Sequence, residues 1–182
     1  MEWLGKDNIK KISVEVAGPI GKAIGIGIDL IEDTNDYGEY TEKQSSALAF
    51  DAAIFCIFAK MSNADKIVVI EEETVIRAFL DANNYNGKTI QLLLNIFNEV
   101  KNNTVAVVDY INQYKEITEK METEKEIIEC DEILLETLVA LSISDDSIVQ
   151  EELDILYKIC DVLEIEHEYL VYLLEDFDYQ AK

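Results

Sequence analysis

FAKMSNADKIVVIEEETVIRAFLD, residues 58–81, and LVALSISDDSIVQEELDILYKICD, residues 138–161, fall on one another when the chain is slid against itself by 80 residues. Ser62 meets Ser142, Asp65 meets Asp145, Glu71 and Glu72 meet Glu151 and Glu152, and Asp81 meets Asp161. Val68 meets Ile148, and the apolar positions 75, 76 and 79 meet 155, 156 and 159. Each copy reads as an apolar run, an Asp, two residues, an apolar residue, three residues, a Glu and a second apolar run. In one continuous helix Asp65 and Glu72 would stand about 10.5 Å apart along the axis. The spacing makes sense as a bend, with the Asp ending one helix and the Glu opening the next. The doubled pattern therefore predicts two related helical hairpins.

Outward from the repeat, the rest of the chain agrees. Six of seven glycines and the single proline, Pro19, precede residue 39, and from Tyr40 onward Gly87 is the only helix breaker of either kind. That stretch is rich in Leu, Ile, Glu and Lys, all good helix formers. Capping boxes are expected at Thr41 with Gln44 and at Thr123 with Glu126, and plainer N-caps at Thr89 and Thr104. Stripes at helical spacing, Ile54, Phe55, Phe58, Met61 and then Ile133, Leu134, Leu138, Leu141, are read as core, as are Tyr169, Leu170, Tyr172 and Leu173. The expected fold is all-α, a bundle of about six to seven helices, about six of them in residues 41–182.

Residues 1–40 form a glycine-rich N-terminal segment ahead of the helical domain at 41–182. Its apolar part, AGPIGKAIGIGIDLI at 17–31, is too short for a bilayer, which needs about 20 residues. Gly21 and Gly25 set a GxxxG spacing that permits close helix packing. A strap over the domain's own core, self-association, and peripheral membrane contact through residues 17–31 all remain open.

The doubled motif, its spacing and the closing LEIEHEYL at 163–170 resemble the tellurite-resistance TerB family, whose superfamily includes the N-terminal domain of the co-chaperone DjlA. Its A-D-G-x-I/V-x-x-x-E signature occurs twice, and its L-G-x-x-x-E-F ending corresponds to LEIEHEYL. The likeness covers about residues 48–172. The chain departs from the pattern at Lys66 and Asp146 in place of the motif glycine, at Val69-Ile70 and Val149-Gln150 in place of Ser-Pro, and at Glu164 in place of the final glycine. The resemblance implies a helical stress-response module with an acidic, metal-binding surface.

Read from the residues, Asp65, Glu72, Asp145 and Glu152 could converge at the two bends into one acidic cluster. Such a cluster suits a hard divalent cation, calcium or magnesium, of which calcium takes six to eight oxygen ligands at roughly 2.3 to 2.6 Å. The plainer reading makes each Asp a cap and each Glu a first-turn residue facing the positive end of the helix dipole. Asp33, Asn35, Gly38 and Thr41 occupy positions 1, 3, 6 and 9 of an EF-hand loop, but Tyr37 and Gln44 stand at positions 5 and 12, so a turn is expected there. His167, alone of its kind and flanked by acids, is expected on the surface.

Charge narrows the partners. With 38 Asp and Glu against 15 Lys and Arg the formal charge is −23, which repels nucleic acid and anionic lipid. Residues 1–28 carry +1 and the remaining 154 carry −24. A basic protein partner is the complement such a surface calls for. The odd number of cysteines, Cys56, Cys130 and Cys160, without a CxxC, fits buried free thiols in a reducing cytoplasm. No secretory leader is read at Met1–Lys11. The expected place is therefore cytoplasmic, at the membrane surface if residues 17–31 touch lipid. No GxSxG, HExxH, P-loop or GxGxxG motif occurs, and no His-Pro-Asp marks a J-domain, so an enzyme is not expected. The oligomeric state is not fixed by the sequence.

Overall fold

The computed structural model describes residues 18–29, 42–64, 70–83, 85, 87–120, 123–144 and 148–176. Among them there are eight helices and no strand. These are α1 (Gly18–Asp29), α2 (Glu42–Met61), α3 (Ile70–Ala82), α4 (Gly87–Asn102), α5 (Val107–Thr118), α6 (Glu124–Ser142), α7 (Gln150–Leu163) and α8 (His167–Asp176). The all-α expectation holds, with seven helices rather than six after residue 41. The short break between α4 and α5 contains neither glycine nor proline, and the cap expected at Thr104 is its only sign in the sequence.

The core is arranged around α2. From Leu48 to Met61 every side chain of this helix is buried except Phe50 and Lys60, which are partly so. A helix that is apolar all round must be covered on every side, and α2 packs against α1, α4, α5 and α6. Ala49, Ala52, Ala53 and Ala59 keep its flanks thin, while Phe55 and Phe58 meet the ring of Phe79 from α3 at 6.0 and 5.3 Å between centroids. The C-terminal helices build outward, with α6 packed on α3, α7 and α8, and α7 on α5 and α8.

The helix ends explain which caps the sequence misplaces. Thr123 caps α6 as expected, its hydroxyl accepting from the Glu126 N–H at 3.2 Å. Helix α4 already begins at Gly87, so Thr89 sits buried inside its first turn rather than at the cap. Thr104 is not the cap of α5, whose N-cap is Ala106. The break is organised by Asn103, whose Oδ1 accepts from the Val105 N–H at 3.1 Å and from Lys60 Nζ at 2.8 Å. Lys60 also donates to the Asn103 carbonyl at 2.7 Å. Helix α2 begins beside Thr41, whose capping box lies outside the described residues. Glu164 ends α7 in the left-handed conformation, φ 60 and ψ 32, the backbone a glycine would favour. Lys115 of α5 stabilises that end, donating to the Val162 carbonyl at 3.0 Å and to Glu164 Oε1 at 2.6 Å.

Helix α1 is seated on the bundle against α2, α4 and α5. Pro19 in its first turn has no N–H to satisfy, and the next donor, Ile20 N, is taken by Gln113 Oε1 at 2.8 Å. Gly18 has φ +88, and a Cβ there would stand 3.1 Å from Gln113 Oε1, so the approach depends on glycine. Ile20 is fully buried and Ala23 nearly so, which turns these two side chains inward to protein rather than outward to lipid. No described helix is long and apolar enough to cross a membrane. Ile20→Ala is expected to lower unfolding free energy by roughly 2 to 4 kcal/mol in a urea titration, while Lys22→Ala, on the exposed side of the same helix, should change it by less than about 0.5 kcal/mol.

Candidate functional site

The helices that follow the two repeat motifs start in register. Helix α3 begins at Ile70 and α7 at Gln150, eighty residues on, which places Glu72 and Glu152 alike in a first helical turn. Ser62 and Ser142 are both buried at the preceding helix ends, with Ser142 Oγ donating to the Leu138 carbonyl and Ser62 Oγ without a partner. Ile76 and Leu156 are buried at matching positions, as are Leu80 and Cys160.

The predicted ligand set is only partly within view. Asp65 and Asp145 lie outside the described residues, as does the side chain of Glu72, and so does the EF-hand-like run at Asp33, Asn35, Gly38 and Thr41. Glu152 is 6 % exposed, and its Oε2 accepts from the Val149 N–H at 2.9 Å. Its carboxylate thus closes one half of a capping box. The reverse half is missing, since valine has no side-chain acceptor. Because Val149 is the N-cap of α7, Asp145 does not fill that place. Among the described residues no group of three or more His, Cys, Asp or Glu is arranged to hold a metal ion.

His167 is half-exposed at the start of α8, as expected. Its Nε2 pairs with Asp161 Oδ1 at 2.8 Å, and its ring meets Tyr157 edge-on at 5.0 Å. The arrangement fastens α8 to α7. Cys56 and Cys160 are buried and Cys130 is partly so, all three free; burial pushes each thiol up, away from reactive thiolate.

Two further acids come to light only in three dimensions. Asp51 on α2 and Asp131 on α6 are repeat mates at the same offset of eighty, and both are buried. Burial pushes both carboxyls up to about 6. Asp51 is partly compensated by the Tyr85 hydroxyl, which donates to its Oδ1 at 2.7 Å and ties the α3–α4 connection to α2. Near Asp131 the match is poorer. The Tyr114 hydroxyl faces the carboxyl and offsets part of its upward push, but in looser geometry than the Tyr85 bond to Asp51. The signal that would have found the pair was present, since extending the self-alignment seven residues upstream of Phe58 sets Asp51 on Asp131.

Two shallow depressions mark the surface. One, of about 460 Å³, lies between the start of α1 and α5, bordered by Pro19, Asp109, Asn112 and Glu116. The other, of about 270 Å³, runs along α8 and is bordered by His167, Glu168, Val171, Tyr172 and Glu175. Neither gathers a catalytic set.

Compared with known proteins, residues 51–173 match the family model described as Tellurite resistance protein TerB. No curated protein and no solved structure matches the chain.

The buried acids make stability depend on pH with a definite sign. A carboxyl whose folded pKa is raised binds its proton more tightly when folded, so its contribution is full below about pH 4 and is lost as pH rises through about 6. Between pH 5 and pH 7 the wild type should lose roughly 2 kcal/mol more unfolding free energy than the Asp51→Asn, Asp131→Asn double variant. Urea titrations at both pH values check this, the variant serving to subtract the general effect of surface charge.

Proposed function

Because this chain belongs to the tellurite-resistance TerB family, we infer that it is a non-catalytic stress-response module that works by binding, through an anionic surface, a basic protein partner. The observation that carries this reading is the placement of charge. Residues 124–176 hold seventeen Asp and Glu against two Lys, in under a third of the chain, and most of those that are described are exposed on α6, α7 and α8. Such a surface raises the encounter rate with cationic partners and is weakened by salt. TerB domains are generally non-catalytic.

A second reading gives the acids of the repeat bends a divalent cation. What favours it is Glu152, a carboxylate buried beside the second bend and in register with Glu72 at the first. Asp65, Glu72, Asp145 and Glu152 would then share a calcium or magnesium ion, with Glu152 also holding the start of α7. The cytoplasm, where basic partners and magnesium are both available, is the setting this function requires.

Calorimetric titration of calcium, magnesium and zinc tests the ion. Binding should be saturable, lost in the Asp65→Asn, Asp145→Asn variant, and accompanied by about 2.7 kcal/mol of added stability at a hundredfold excess over Kd. Heats that stay at the dilution level up to millimolar ion would reject it. The partner reading is tested by affinity capture, where the retained protein should be released by raising salt to about 0.5 M, the range in which surface charge is screened within a few Å. Retention unchanged by salt would count against it.

A further inference from the structure

Two members of the stripes that the sequence assigns to the core, Ile133 and Tyr172, are exposed, although Leu134, Leu138, Leu141, Leu170 and Leu173 beside them are buried. Ile133 is 56 % exposed and Tyr172 is 59 % exposed, and with Ile128 and Val171 they are the exposed large apolar side chains of the described residues. All four lie on α6 and α8, two helices that pack against each other. Their seam is marked by the Tyr169 hydroxyl, which donates to Glu136 Oε1 at 2.8 Å, while the Tyr169 ring stacks on Tyr172 at 6.4 Å. Ile133 stands one turn before Glu136, and Ile128 one turn before Glu132, whose charge also bears on Tyr169. The shallow depression along α8 runs through Val171 and Tyr172.

The surroundings of this apolar surface select its occupant. Helices α6 and α8 together carry nine Asp and Glu and one Lys, Lys125, which faces Glu129 at 3.4 Å. A second copy of the same face would set these carboxylates against each other, and an anionic lipid surface would do the same. A cationic helix with one apolar face satisfies both features, laying its apolar side chains on Ile133, Val171 and Tyr172 and its lysines or arginines among Glu132, Glu168 and Glu175.

We propose that the α6–α8 face is the docking surface for a basic amphipathic helix of a partner protein. This rests on the partner-binding reading above and adds to it a place and a shape. Fluorescence anisotropy with the full chain and two synthetic 18-residue peptides of leucine and lysine tests it. The two have identical composition, one ordered to form an amphipathic helix and the other scrambled. In 0.15 M salt the amphipathic peptide should bind at least about tenfold more tightly than the scrambled one. The Ile133→Ser, Tyr172→Ser variant, altered only at exposed positions and checked for unchanged helicity, should lose that preference. If both peptides bind equally, or the variant keeps the preference, the docking surface is overturned while the anionic-surface reading stands. If neither peptide binds at any salt concentration, both fail.

Discussion

A helix that cannot face water anywhere along fourteen residues determines this molecule. Between Leu48 and Met61, α2 offers no solvated side, and its alanines let four neighbours approach closely. The hydrophobic effect then demands that the rest of the chain supply cover. Part of that cover comes from the glycine-rich N-terminal segment, whose Ile20 and Ala23 bury alongside α2. The α1 entry is fastened by one hydrogen bond from Ile20 to Gln113 and by the absence of a side chain at Gly18. The repeat-bearing helices surround what is left.

The same burial accounts for how cations and anions are distributed. Lys60 and Lys115 reach inward to backbone carbonyls at Asn103 and Val162, where they fix turns. Of the few positive charges in the chain, these two serve architecture more than the surface. Among the described residues the buried anions are Asp51, Asp131 and Glu152, and most of the others are exposed. The acidity of the surface is in this sense a by-product of which charges the turns recruit.

Helical class was legible because Gly87 is the single breaker after residue 39 and apolar residues recur at helical spacing, and the register of the repeat was legible because Ile70 and Gln150 open corresponding helices. Other features obeyed forces that a linear pattern does not carry. An Asp among Ala, Phe and Ile, as at position 51, reads as a solvated point of a helix, yet Tyr85 from a distant turn makes its burial tolerable. Thr104 has the chemistry of a cap, but Asn103 beside it has two polar atoms to offer and an amine from α2 to bind, and so it organises the turn. Ile133 and Tyr172 continue apolar stripes one step beyond the width that neighbouring helices cover. Of the anticipated ligand acids, Glu152 proved to hold a helix start, a task its spacing allowed but could not distinguish from coordination.

The end of α7 differs from the rest in what holds it. A glycine at 164 would turn left-handed unaided, whereas the glutamate found there is held by an amine that comes from 49 residues earlier in the chain. This contact is solvent-exposed on the Glu164 side, so dissolved ions compete with it in a way they never compete with the packing of α2. Ionic strength therefore loosens the turn between α7 and α8, while the buried Leu170, Leu173 and Leu174 keep α8 itself on the bundle.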